Sequence, residues 1–188
     1  MESNLRKFNC RFVPPRKRAW RKYNFKKLIK KYFSDCESIL DVGAGDCMFE
    51  ECCEELGKNV LGIDLNPKFK RKNIIIKDFR NVTEKYEGVF VGGLLYAVNQ
   101  FELIETISRI CTKRCVIVEC MPNDRGLWNT PTAIRPWSKR SVMGLFNNYS
   151  SLRVVDSGYF IPYCFFLSKN KHYVVAEPES KSIAKNTD

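Results

Sequence analysis

This 188-residue chain has a single histidine, His172, and none of its nine cysteines pair at C-x-x-C spacing. A zinc site is therefore disfavoured, because such sites are built from closely spaced cysteines and histidines. No apolar run approaches the ~18 residues that would cross a bilayer. The first 33 residues lack an apolar core ahead of a small-residue cleavage site. No secretory leader is expected, and the predicted location is cytoplasmic, or nuclear in a eukaryotic host. Reduced thiols go with that compartment. Cys52, Cys53, Cys111, Cys115 and Cys120 are accordingly read as small hydrophobes of a core.

Acidic residues are scarce only at the start. Residues 1–33 hold twelve Lys or Arg against Glu2 alone, while the remainder holds 20 basic and 20 acidic side chains. The whole formal charge of +11 thus belongs to the leading segment. Pro14-Pro15 and Arg16-Lys17-Arg18 predict a flexible basic arm over residues 1–22. Its cations alternate with Phe8, Phe12, Trp20 and Tyr23, a composition suited to neutralising phosphates and stacking on bases. The expected partner is a nucleic acid, RNA before DNA. The alternatives are a solubilising tail and, less favoured, contact with an anionic membrane surface.

From Asn24, read as an N-cap, Phe25, Leu28, Ile29 and Tyr32 recur at i, i+3, i+4 and i+7 and predict a helix with lysines outward. A strand at 38–42 leads into the turn DVGAGDC, residues 41–47. The helix after it carries Phe49, Cys52, Cys53 and Leu56 inward and Glu50, Glu51, Glu54 and Glu55 outward. Further strands are expected at 59–64, 73–77, 88–91 and 115–119, and helices around 103–111 and 138–149. Two β-rich runs around 152–167 and 172–176 follow, joined by the turn-like Ser168-Lys169-Asn170-Lys171. Apolar strands alternating with amphipathic helices predict a doubly wound α/β domain over residues 23–177. Its sheet is mostly parallel and seven-stranded, with helices on both faces and a C-terminal antiparallel hairpin. Residues 178–188 are expected to be disordered.

In such sheets ligands bind at the carboxyl ends of the strands, where strand order reverses. The turn at Gly43 and Gly45 belongs there. A dinucleotide fingerprint would need a third glycine where Met48 stands, and a phosphate-cradling loop would need a lysine that is absent. The remaining ligand is one that needs a tight turn and a ribose contact but carries no phosphate. Asp64, 21 residues after Gly43 and closing the second strand, suits the ribose, and S-adenosylmethionine meets these requirements.

The pattern resembles the class I S-adenosylmethionine-dependent methyltransferases over residues 34–176. Asp41-Val42-Gly43-Ala44-Gly45-Asp46-Cys47 is similar to the family's acidic glycine-rich turn, with Cys47 in place of its third glycine. The resemblance implies that Asp64 binds the ribose with Leu65 beside the adenine. It also implies that Asp78 and Phe79 contact the adenine amine and ring, and that Gly92 and Gly93 meet the methionine end by main chain. Gly92-Gly93-Leu94-Leu95-Tyr96 lacks the Asn/Asp-Pro-Pro-aromatic run of enzymes that methylate adenine amines, and no Cys-Pro pair suggests a cytosine nucleophile. Glu119, ending the fifth strand, is a candidate general base, the alternative being a solvated strand end or an arginine partner. Tyr96, Trp128 and Arg135 are candidate acceptor contacts, Trp128 and Arg135 lying in the loop 121–137. The expected activity is methyl transfer to a nucleic acid. The alternatives are a small-molecule or protein acceptor, or a binding protein that retains the fold without catalysis.

Overall fold

The computed structural model describes residues 15–67, 71–95, 97–120, 138–159 and 171–179. Its elements run α1 (Pro15–Tyr32), β1 (Ile39–Val42), α2 (Met48–Glu55), β2 (Val60–Asp64), β3 (Ile74–Ile76), a 3₁₀ turn (Phe79–Asn81), β4 (Tyr86–Gly92), α3 (Gln100–Ile110), β5 (Cys111–Cys120), α4 (Lys139–Tyr149), β6 (Leu152–Tyr159) and β7 (Lys171–Pro178). The strands form one seven-stranded sheet in the order β3-β2-β1-β4-β5-β7-β6. The first five are parallel, and β7 pairs antiparallel with both β5 and β6. Strand order reverses between β1 and β4, which places the switch point beside the glycine turn.

The apolar faces of the helices explain the layers. Leu103, Ile104 and Ile107 of α3 and Val142, Leu145 and Phe146 of α4 pack on one face against Leu40, Val89, Val91 and Ile117. On the other face, Phe25, Leu28 and Ile29 of α1 and Phe49, Cys52 and Cys53 of α2 meet Ile39, Phe90 and Val116. Phe49 and Phe90 stack with centroids 3.8 Å apart. Cys52, Cys53, Cys111 and Cys115 are buried free thiols of this core, as expected of small hydrophobes. Among the described residues no helix is long and apolar enough to cross a membrane.

The leading segment departs from expectation. α1 starts at Pro15, so residues 15–22 belong to a helix rather than to a flexible arm, and Asn24 is not an N-cap but a buried residue whose amide donates to Trp20 O. Proline suits the first helical position, where its missing N–H has no intrahelical partner to lose. The helix is then fixed by charge. Arg18 pairs with Glu51 at 2.6 Å, Arg21 with Asp46 at 2.7 Å, Lys22 with Glu51 and Glu55 at 3.0 and 2.8 Å, and Lys26 with Glu55 at 2.5 Å. The two lysines hold the exposed Glu55 carboxyl low, at about 2. Residues 1–14 and 180–188 lie outside the described residues.

Candidate functional site

β1 delivers its carboxyl end into a main-chain loop tied to β2. Gly43 N–H and Ala44 N–H both donate to Ile63 O, at 2.8 and 3.1 Å. Gly43 has φ 84° and Gly45 φ 51°, backbone that glycine adopts without strain. A Cβ at Gly43 would also press within 3.2 Å of Leu94 from the loop after β4. Cys47 is left-handed as well, at φ 57°, and is the one described non-glycine residue in that region. The position that the resemblance gives to a third glycine thus carries a side chain on backbone of the kind glycine adopts freely. Cys47 Sγ is fully buried, and Asp46 Oδ1 accepts Met48 N–H at 3.3 Å to start α2.

Asp64 closes β2 directly against this loop. Its Oδ2 accepts Gly45 N–H at 3.0 Å and its Oδ1 accepts Asn66 N–H at 2.7 Å. A carboxylate has about four acceptor positions, so two remain for hydroxyl groups. Leu65, next in the chain, is 51% exposed and offers an uncovered apolar surface. Asp78 caps the 3₁₀ turn through Arg80 N–H at 3.0 Å, and its carboxylate is gripped by the Arg80 side chain at 2.6 Å, which holds it below the usual range. Phe79 is half-buried against the α3 face of the core. Gly92 ends β4, and Gly93 N–H donates to Val118 O at 2.8 Å. Asp41, Gly43, Gly45, Asp64, Leu65 and Gly92 thus share the carboxyl edge of the parallel strands, with Asp78 and Phe79 beyond β3.

Glu50 corrects an expectation. It is not outward with Glu51, Glu54 and Glu55 but wholly buried in the first turn of α2. The carboxyl lies where Gly62 of β2 has no side chain, and a methyl group there would collide with Glu50 Oε1. Asp41 pairs in register with Gly62 and is 3% exposed, so the two carboxyls share one interior pocket. Burial and the neighbouring acid push Asp41 well above the usual carboxylate range, and burial raises Glu50 to about 7. Only the glycine at position 62 signals this arrangement, and the signal becomes visible once the β1–β2 register is known.

At the β5 end, Glu119 is also no solvated strand end. It is 3% exposed, and its Oε1 accepts Leu95 N–H at 2.9 Å, which ties the loop after β4 to β5. His172 stands opposite Glu119 in the β5–β7 ladder. It is fully buried, and neither ring nitrogen has a hydrogen-bond partner. Burial, with Lys139 nearby, pushes it down to about 4. Tyr96, Trp128 and Arg135 lie outside the described residues.

No protein-family model matches the sequence, and no curated protein matches it. Solved structures do match. A SAM-dependent methyltransferase from Archaeoglobus fulgidus superposes with a TM-score of 0.69 at 18% identity, covering 85% of this chain and 94% of its own. The magnesium protoporphyrin IX methyltransferase of Synechocystis PCC 6803, with bound SAH, gives 0.66 at 10% identity and 89% coverage of both chains. The 1,6-didemethyltoxoflavin-N1-methyltransferase of Burkholderia thailandensis gives 0.67 at 14% identity, covering 85% of this chain and 78% of its own. With its strand order, its switch point beside a glycine turn and these superpositions, the chain has the class I, Rossmann-like fold of the S-adenosylmethionine-dependent methyltransferases.

Proposed function

We propose that this protein is an S-adenosylmethionine-dependent methyltransferase. The observation that carries the reading is the junction of Asp64 with the glycine turn. One carboxylate is fixed by Gly45 N–H and Asn66 N–H and keeps two acceptor positions, which suits the vicinal hydroxyls of a ribose. Leu65 offers apolar surface for an adenine face, and Gly43 and Gly45 bring main chain, unobstructed by Cβ atoms, to the amino-acid end.

The donor, when bound, supplies a methyl group on a positively charged sulfur. The residues of this chain supply positioning, which can account for a large part of such a rate enhancement. Asp64 orients the sugar, the Gly43–Gly45 turn fixes the amino-acid end, and Glu119 holds the Gly92–Leu95 loop against β5 by accepting Leu95 N–H. Calorimetric titration with S-adenosylhomocysteine tests the assignment. Asp64→Ala removes contacts worth ~1.5–3 kcal/mol and is expected to weaken binding about 10–100-fold. Unchanged affinity would overturn the site.

For the acceptor the reading is a nucleic acid, RNA before DNA. It is supported by a stripe on α1 that α2 does not engage: Tyr23, Lys27 and Lys30 are exposed at i, i+4 and i+7, with Lys27 Nζ 5.7 Å from the Tyr23 ring centre. A second reading, a small-molecule acceptor, draws on a different fact. Arg18, Arg21, Lys22, Lys26 and Lys31, five of the twelve leading cations, are spent on acids of the protein itself. The porphyrin and toxoflavin named for two structural neighbours point the same way. Transfer of labelled methyl to RNA, lost as salt rises, supports the first reading; labelled small molecules from an extract with unlabelled RNA support the second.

A further inference from the structure

Two carboxyl groups meet behind the glycine turn with no cation between them. Asp41 Oδ1 and both Glu50 oxygens have no hydrogen-bond partner, although Asp41 is 3% exposed and Glu50 0%. The groups facing them are mostly acidic: Asp46 from the turn, Asp64 from β2 and the Cys53 thiol from α2. Arg71, ahead of β3, pairs with Glu51 and Glu54 at 3.6 and 3.4 Å, and its charge favours the ionised form of Glu50 without a hydrogen bond to it. Arg21 of α1 reaches Asp46 at 2.7 Å and not the pair. Two ionised carboxylates can only accept. A single shared proton turns one into a donor and supplies the hydrogen bond that the surroundings withhold.

We propose that Glu50 is a second carboxyl of the cofactor site, sharing one proton with Asp41 while the site is free and releasing it when a cationic ligand seats on the turn. The inference rests on the cofactor reading. S-adenosylmethionine and S-adenosylhomocysteine both carry an α-ammonium group, and a positive charge brought close to buried acids favours their ionised form. The balance is simple: one O–H bond breaks, the electron pair stays on the carboxylate, and the proton passes to buffer. Glu50 therefore acts as a positioning residue that sets the charge of the site to match the ligand.

Calorimetric titration with S-adenosylhomocysteine in two buffers of different ionisation enthalpy reads the protons released per ligand. Near pH 6.5 the native protein is expected to release close to one proton, and its affinity should rise towards tenfold per pH unit between about pH 5.5 and 6.5, where an α-amino group stays protonated. Glu50→Gln, whose amide mimics the protonated partner, should bind with little proton release and a nearly flat pH profile. Native binding without proton release, or release that persists in Glu50→Gln, overturns the role of Glu50 and leaves the cofactor reading standing. No binding by the native protein overturns the cofactor reading itself. The native measurements stand even if the variant fails to fold.

Discussion

Two buried glutamates near the carboxyl edge of the sheet meet the cost of burial in different ways. Glu119 in β5 takes Leu95 N–H at 2.9 Å, a donor from the main chain of the neighbouring loop. Glu50 in α2 has no hydrogen-bond partner on either carboxyl oxygen and faces Asp41 instead. A buried carboxylate without donors is costly enough that the group holds a proton instead. Glu119 is thus part of the frame that joins β4 to β5, whereas Glu50 and Asp41 are left buried with oxygens that no donor satisfies. The β5 end is closed by a hydrogen bond of the fold itself, and the β1 end is where the ligand is proposed to sit.

The contrast can be broken by substitution. The largest effect is expected for Glu119→Ala, which strands a buried N–H and opens a cavity, at about 2–4 kcal/mol of stability in denaturant unfolding. Glu119→Gln keeps an oxygen acceptor for Leu95 N–H and should lose much less. Glu50→Gln should do the opposite and stabilise, by about 3 kcal/mol at pH 8 and by less than about 1 kcal/mol at pH 5. The sign follows from a folded value of about 7 against an ordinary 4.5. Below about pH 4.5 the group is protonated in both states and costs nothing. As pH rises from there to about 7, the unfolded chain ionises first, so native stability falls and then levels off. Equal responses of the two glutamates to Gln would collapse the distinction.

The smallest expected effect sharpens the account at the turn between them. Cys47 holds a left-handed backbone that costs a non-glycine residue about 1 kcal/mol. Cys47→Gly and Cys47→Ala both remove the buried sulfur, yet the glycine variant should be the more stable by roughly that amount, measured by thermal unfolding. The reverse order would mean that the turn is not strained at Cys47.

Much of this molecule could be read before its structure. Apolar runs and period-3.6 patterns located all seven strands and the core faces of four helices, because burial on both sides of a parallel sheet leaves a plain hydrophobic signature. The glycine turn and Asp64 were legible because their spacing is local to one β-α-β unit. Glu50 was not, because its burial depends on Gly62 in the next strand, a contact that exists only through register. The start of α1 was hidden for a related reason. Its cations looked free in sequence and are instead matched by Asp46, Glu51 and Glu55 of the turn and α2.

The central claim is that the carboxyl edge at β1 and β2 holds an adenosyl amino acid. A crystal structure of the protein with S-adenosylhomocysteine tests it most directly. The account predicts the ribose hydroxyls on the Asp64 carboxylate and the amino-acid end along Gly43–Gly45, within reach of the Asp41 and Glu50 pair. A nucleoside lodged at any other place, with Asp64 untouched, would contradict it.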